Sequence, residues 1–407
     1  MIMKKIIDNI KRWWHTLFQV WIKEYRLVFS DLGVLLFFIA LPLAYPIVYT
    51  LIYNPEIVYD VPVAVVDNCR TADSRQFARM IDASPYTKVA GYASDLEEAK
   101  TWMKERKVYG IMELPHDYSR KIGRNEQAVV PIYCDMSLLL RYKSILLATT
   151  DVSLQLGSDI RTKKIDYSPV ALLSTAVGST VSTESFFLGD VTQGFASFVM
   201  IGIVVLILQQ SLVLGVLMLG GGSSERRRKN HGIDPEETDG PMSASILGKS
   251  LCYLTIYAPL TIYILHYIPV MFSLPHIGNP LDYLTFILPM LLASTFLGQM
   301  LRPLVVERES SFLVFVFTSV LFLFLSGLTW PRPAMSDVWF MLSSLVPATW
   351  GIEGFIGINS NGATLGEMST PYLMLWALTI AYYFIAVIIE KWCKRRDLRH
   401  YKVPSVP

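Results

Sequence analysis

Charge is what this chain has least of. Of its 407 residues only 17% are Asp, Glu, Lys or Arg, against roughly a quarter in an ordinary soluble domain. With 52% hydrophobic residues and a mean hydropathy of +0.40, that balance excludes a soluble globular protein and points to a membrane chain. A formal charge of +2 offers no field for nucleic acid, and no nucleic-acid partner is expected. The four cysteines, Cys69, Cys134, Cys252 and Cys393, stand too far apart for zinc or redox spacing. His15, His116, His231, His266, His276 and His400 are scattered without a partner at ligand spacing, so no metal site is expected. No serine or cysteine belongs to a recognisable catalytic set. A phosphate loop is also missing: Gly248-Lys249-Ser250 has Ser243 where the first glycine would have to stand, and no strand precedes it. The chain should therefore carry no catalytic residue, bind no cofactor and not hydrolyse ATP. The first 30 residues hold no short apolar core followed by a cleavage site, so no secretory signal is expected there.

What is present is long apolar runs. A helix needs about 20 apolar residues to cross a hydrocarbon core of roughly 30 Å. Six stretches qualify: Leu32–Tyr53, Phe195–Leu219, Leu251–Phe272, Tyr283–Leu301, Ser311–Trp330 and Leu373–Trp392. Orientation follows from flanking cations. Lys4, Lys5, Lys11, Arg12, Lys23 and Arg26 precede the first run, and no Lys or Arg follows it until Arg70. Arg226–Lys229 follow the second run, Arg302 and Arg308 the fourth, and Lys391, Lys394, Arg395, Arg396 and Arg399 the sixth. Six spans with both termini cytoplasmic satisfy all of these. The apolar segment 337–359 would break that parity as a seventh span. With Pro347 and Glu353 inside it, it reads as a re-entrant or interfacial helical pair at the outer face, where Trp330, Trp339 and Trp350 fit an aromatic belt.

Residues 1–31 repeat Ile6, Ile10, Trp13, Leu17, Trp21 and Tyr25 at helical spacing, which predicts an amphipathic helix in the cytoplasmic interface. Residues 54–186 are hydrophilic and alternate strand and helix signals. "VPVAVVD", "TKVAGYA", "VYGIMELP" and "AVVPIYCDMS" read as strands and "DSRQFARMIDA" as a helix. Ser94 and Glu97, at capping-box spacing, open a second helix, and a long helix from about Leu138 to Lys164 closes the insert. Strand–helix alternation predicts a small α/β domain. Asp67 and Asp135 follow predicted strands, where such residues cap the next helix or turn. Cys69 and Cys134 flank them on the oxidising side. They are the candidate disulfide, provided their Cα atoms lie within about 7 Å.

Two sets of polar residues remain. Gln209 and Gln210 in the second run, and Ser294, Thr295 and Gln299 in the fourth, are the candidate lining of a path, set against ordinary helix–helix hydrogen bonding. "SSERRRKN" (223–230) holds four consecutive cations. Arg or Lys at a span centre costs roughly 2.5–3.5 kcal/mol each. The run is therefore expected outside the bilayer, in a cytoplasmic loop 221–244, either as a lipid-held anchor or as a contact for a partner. The following "HGIDPEETDG" reads as solvated loop.

The order of parts and several phrases resemble the membrane subunit of type-2 ABC exporters over almost the whole length. The phrases are "KEYRLVFSDLGVLLFFIALPLAYPIVYTLIY", "VAVVDNCRTADSRQFARMIDAS", "YGIMELPHDYSRKI", "VPIYCDMS" and "LVPATWGIEGFIGINSNGATLGEM". The resemblance implies an α-helical polytopic protein of the bacterial inner membrane. It would comprise an interfacial helix (1–31), a first span (32–53), an extracytoplasmic α/β domain (54–186), spans two to six (187–392) and a cytoplasmic tail (393–407). It implies a half-transporter paired with an identical or paralogous permease and with a separate ATP-binding subunit that holds ATP and Mg. A periplasmic adaptor is a further candidate partner. The job implied is export of a lipophilic or amphipathic substrate. It also places the coupling element at Glu225, Arg226, Arg227 and Arg228. Glu225-Arg226 matches the start of the family's acid–Arg–acid–x-Gly-Thr phrase, but Arg227 replaces the second acid and Gly-Thr is absent. The alternative is a non-transporting membrane receptor whose insert binds an external ligand or phage, since the insert is also similar to phage-infection proteins.

Overall fold

Asp31 divides the first long helical stretch in two. In the computed structural model, which describes residues 2–53, 57–124, 126–165, 195–274 and 276–400, α1 (Ile2–Ser30) stops just before it and α2 (Leu32–Tyr53) starts just after. The Asp31 carboxylate accepts from the backbone N–H groups of Gly33 (3.1 Å) and Val34 (3.4 Å). It thus satisfies amides that a new helix leaves open. Residues 1–54 and 187–407 form one compact unit, and 55–186 form another.

The smaller unit is a four-stranded sheet in the order β2-β1-β3-β4, made of β1 (Val61–Asp67), β2 (Thr87–Ala93), β3 (Gly110–Leu114) and β4 (Ile132–Cys134). β1 runs parallel to β2 and β3, while β4 is antiparallel to β3. Its helices are α3 (Ala72–Ala83), α4 (Leu96–Lys104), α5 (Tyr118–Gly123) and α6 (Leu139–Ile165). Side chains alternate across a strand, and both faces of β1 are covered. Val61, Val63 and Val65 meet Phe77 and Ile81 of α3 and Ile145 of α6, while Ala64 and Val66 face Ala99 of α4. That is why "VPVAVVD" is apolar throughout rather than alternating. The four strands and the long helix fall where the pattern predicts. The expected Ser94–Glu97 box does not form. Asp95 is the N-cap, accepting from the Glu98 N–H at 2.8 Å, and Ser94 bonds the Glu98 carboxylate, a register one residue later. The reciprocal box occurs instead between Thr71 and Ser74 at the start of α3.

The expected Cys69–Cys134 disulfide is corrected: both thiols are free. Cys134 pairs in register with Gly110, level with Val63, whereas Cys69 lies beyond Asp67. The four residue steps from Val63 to Asp67 alone separate them by about 13 Å, well outside bridging range.

The larger unit returns through α7 (Phe195–Lys229), then α8 (Met242–Met271), α9 (Pro280–Leu301), α10 (Ser310–Leu325), α11 (Asp337–Ser344), α12 (Pro347–Asn359) and α13 (Ser369–His400). α7 is the core. Val205, Leu208, Leu212, Val213 and Leu217 are fully enclosed, and Phe38 of α2 lies where a Cβ on Gly215 would sit 1.9 Å from its ring. α1 packs on α8 in parallel. Trp13 donates to Ser243 at 3.1 Å, Gly248 meets Leu17 and Val20, and Tyr253 bonds Glu24. Of the stripe residues from Ile10 to Tyr25 only Leu17 is buried, with Trp21 and Tyr25 packed beside it. Trp14, Phe18, Ile22 and Phe29 form a second, exposed apolar face.

Among the described residues five helices are long and apolar enough to cross a bilayer, and the α11–α12 pair, bent by 85°, passes only if counted as one span. That bent pair has the helical form expected for 337–359. The fifth expected run, Ser311–Trp330, forms a shorter helix than expected. α10 has 16 residues, about 24 Å of helix against a core of roughly 30 Å. It stops before Gly327, which adopts φ +84°.

The expected loop 221–244 is also corrected. α7 continues unbroken to Lys229 and the next helix begins at Met242. Three glycines there suggest a helix end, but they serve packing: a Cβ on Gly221 would meet the Glu307–Arg308 backbone at 2.9 Å. The helix ends instead at His231 (φ +50°) and Gly232 (φ +95°), where the Gly232 N–H donates to the Arg227 carbonyl at 2.7 Å.

Candidate functional site

Thirty-five residues of helix reach about 52 Å, so α7 outruns any bilayer core and carries its last two turns beyond it. Those turns hold Glu225, Arg226, Arg227 and Arg228, the residues singled out in the sequence. Each meets a partner within the chain. Arg226 holds Asp234 with two bonds, Nε to Oδ1 at 2.9 Å and Nη2 to Oδ2 at 3.1 Å, the planar fork that lysine cannot reproduce. The Ser223 hydroxyl donates to the same carboxylate at 2.7 Å. Arg227, only 5% exposed, reaches Glu237 at 3.0 Å and Glu390 of α13 at 3.4 Å. Arg228 pairs with Glu307 at 2.6 Å, and Glu225 accepts from the backbone N–H of Arg308 at 2.8 Å.

The network extends. Arg302, at the end of α9, is ion-paired with Glu390 and donates to Ser223 at 3.1 Å. Lys394 of α13 bonds Glu237 at 2.8 Å, and Lys23 of α1 pairs with Glu236 at 3.2 Å. Apart from Lys394 these groups line a cavity of about 60 Å³, together with Glu24, Lys249, Tyr253 and Gln299. Five cations (Lys23, Arg226, Arg227, Lys249, Arg302) face five anions (Glu24, Asp234, Glu236, Glu237, Glu390), so the lining is balanced. Burial alone would raise the Asp234 carboxyl. The bonds from Arg226 and Ser223 outweigh it and hold it below its ordinary range. Glu237 is likewise lowered against its burial by the charges of Arg227 and Lys394.

Two sequence expectations change here. The cations are not all outside protein: Arg227 is buried because carboxylates enclose it, an arrangement no insertion scale anticipates. The acidic "IDPEETDG" is not a free solvated loop either, since Asp234 is 5% exposed and folds back on the basic turn. The complement of RRRK by acids eight to ten residues later was the available signal. Arg302 and Lys394 read only as topology markers and nothing singled out Glu390, because nothing local says that three helix ends converge. What remains exposed at the tip is Arg228, Lys229, Asn230, His231, Ile233, Pro235 and Glu236.

The candidate path residues are all buried or nearly so, and four of the five hydrogen-bond within the helical unit. Gln209 accepts from the Ala348 N–H at 2.6 Å, Ser294 and Thr295 donate to carbonyls one turn back, and Gln299 donates to Ser250 at 3.1 Å. Both amide atoms of Gln210 are buried without a partner. Only Gln299 of the five lines the cavity. Gly248-Lys249-Ser250 lies inside α8, with Gly248 against the Leu17 carbonyl. Among the described residues no three His, Cys, Asp or Glu cluster as metal ligands.

Compared with known families, residues 33–388 match the model of the ABC-2 family transporter protein. The chain belongs to the ABC-2 transporter family. No individual curated protein registers as a match. The family assignment makes this a multi-pass membrane transport component, of a kind that normally works with a separate ATP-binding subunit.

Proposed function

We propose that this chain is the permease half of an ATP-driven exporter of the bacterial inner membrane that moves a lipophilic or amphipathic substrate outward. The observation that carries the reading is the family match across residues 33–388. It works with an identical or paralogous permease and with an ATPase that alone binds ATP and Mg. Basic helix ends at Arg226–Lys229, Arg302 and Lys391–Arg395 favour placing both termini inside, with α10 as a short span, α11–α12 re-entrant from the outside and residues 54–186 outside. A periplasmic adaptor would meet that outer domain.

In this reading the hairpin Arg226–Gly240 is the coupling element, in a form that differs from the sequence expectation. Glu225, Arg226 and Arg227 brace it from within, and the exposed tip, with Ile233 as its apolar knob and Lys229 and His231 beside it, meets the ATPase. Buried ion pairs are stiff to separation, so a push on the tip moves α9 and α13 together. The test is substrate-stimulated ATP hydrolysis of the reconstituted complex. Ile233→Asp and Lys229→Glu should insert normally by surface labelling and lose tenfold or more of the stimulation. Full stimulation in both would leave the hairpin a lipid-held anchor.

A further inference from the structure

Three heteroatoms meet at the end of the helical unit opposite the arginine network. His266 Nδ1 lies 2.8 Å from Tyr283 Oη and 3.1 Å from His276 Nε2, and Tyr283 Oη lies 3.4 Å from that same Nε2. His276 precedes Pro280 and Arg302 follows Leu301, so the 22 residues of α9 put about 33 Å between the two ends.

We propose that His266, His276 and Tyr283 form a binding site for a divalent transition cation of the Zn²⁺ class, with its fourth position open. A tetrahedral cation with bonds of about 2.05 Å sets its ligands about 3.3 Å apart. The triangle of 2.8, 3.1 and 3.4 Å needs adjustments of a few tenths of an ångström. Imidazole suits Zn²⁺, Cu²⁺ and Ni²⁺, and a tyrosine phenol is an established metal ligand.

The surroundings are those a ligand set requires. Asn359 Oδ1 accepts from His276 Nδ1–H, which leaves Nε2 as the lone-pair nitrogen facing the other two atoms. Ligating histidines are oriented by such a bond on the far ring nitrogen. His276 cannot drift, because the backbone N–H groups of Ile277 and Gly278 both donate to the Asn359 carbonyl, at 2.9 and 3.1 Å. A Cβ on Gly278 would sit 2.3 Å from the Ile358 carbonyl, so glycine alone permits that approach. His266 stands in a π-turn, Tyr263–Tyr267, inside α8. Such turns insert one residue into a helix, re-aim a side chain and recur at functional sites. Tyr283 is fully buried, while both histidines keep partial exposure through which a cation can enter.

Binding exchanges protons for the cation. His266 binds as the neutral tautomer with its proton on Nε2 and the lone pair on Nδ1, and Tyr283 gives up its hydroxyl proton to water as its oxygen takes the metal. Affinity should therefore rise with pH. Occupancy would tie α8, the connector before α9, α9 itself and, through Asn359, the end of α12. It does not depend on the chain being an exporter.

The test is a Co²⁺ titration of the full-length, tag-free protein in lipid nanodiscs, read by the visible absorption of four-coordinate Co²⁺ and repeated with Zn²⁺ by competition. One Co²⁺ per chain is expected. His266→Gln and His276→Gln, which keep hydrogen-bonding capacity, should each weaken it more than 100-fold, and Tyr283→Phe at least tenfold. Asn359→Ala should cost about 10–100-fold, as loss of an outer-shell partner does, while His116→Ala and His231→Ala leave it unchanged. Matched elution profiles and metal-free melting temperatures show that the Gln variants fold. No saturable Co²⁺ site in the wild type, or an equal site in the His266→Gln/His276→Gln double variant, would overturn the proposal.

Discussion

Glu390→Gln is the sharpest probe of the helix-end network. Glu390 is 12% exposed and takes contacts from two arginines, Arg302 and Arg227, which are themselves 10% and 5% exposed. Arg227 keeps Glu237 when Glu390 is neutralised. Among the described residues Arg302 then keeps the Ser223 hydroxyl as its hydrogen-bond partner, at 3.1 Å. Glutamine preserves the shape and one acceptor, so what is lost is charge. Two unit charges about 4 Å apart at an effective dielectric of about 20 interact by about 4 kcal/mol. Breaking a buried pair from one side costs about 3–5 kcal/mol, because the partner stays buried and unpaired. We expect about 3 kcal/mol from Glu390→Gln and a similar loss from Arg302→Met. The double variant Arg302→Met/Glu390→Leu should recover at least 2 kcal/mol of the summed loss, since an apolar pair leaves no orphan charge. The assay is reversible denaturation in bicelles or mixed micelles, with each variant's insertion verified by labelling. Additive losses in the double variant, or a single-variant loss below about 1 kcal/mol, would mean that water already solvates Arg302 and that the network braces nothing.

Other outcomes follow from the same geometry. Arg226→Lys forfeits the two-pronged bond to Asp234, worth about 1.5–3 kcal/mol to a charged group, and should raise the mobility of a spin label at position 233 while leaving membrane insertion intact. The hairpin should loosen in acid. The Asp234 and Glu237 carboxyls are held below their unfolded values of about 4. Their stabilisation is therefore complete above that pH and is lost as pH falls through the lower folded values. The label's mobility should stay constant from pH 7 to about 4.5 and rise below it; a rise between pH 7 and 5 would contradict the sign. Gln210→Leu should not destabilise the fold, since neither amide atom has a partner to lose and burying such a group costs about 1–3 kcal/mol. A clear loss of melting temperature would mean that bound water or substrate satisfies it. Cysteines at positions 228 and 397 should label only from the cytoplasm and those at 100 and 277 only from outside; outer labelling at 397 would break the six-span assignment.

By itself the sequence determined whatever depends on local periodicity and composition. Short apolar or alternating runs located β1, β2 and β3, and a long uninterrupted stretch located α6, because a strand or helix is chosen by neighbours a few residues away. Apolar length alone located α2, α7, α8, α9 and α13. A helix does not need a partner to be insoluble in water. The family, too, was readable, since the order of parts is a linear property. The tertiary structure decided what depends on distance between remote residues. The triple glycine at 220–222 looks like a helix end and is a packing surface, because only the passing Glu307–Arg308 backbone gives it that meaning. Cys69 and Cys134 look pairable beside two strand ends, and the antiparallel turn of β4 sends them to opposite ends of the sheet. Arg227 looks too costly to bury, and Glu237 and Glu390, 10 and 163 residues away, make its burial possible. His266 and His276 look scattered, until a π-turn and the pinned connector before α9 turn them toward Tyr283. In each case a side chain's energy is set by what surrounds it in space. A linear pattern carries that information only when the surroundings are also near in sequence.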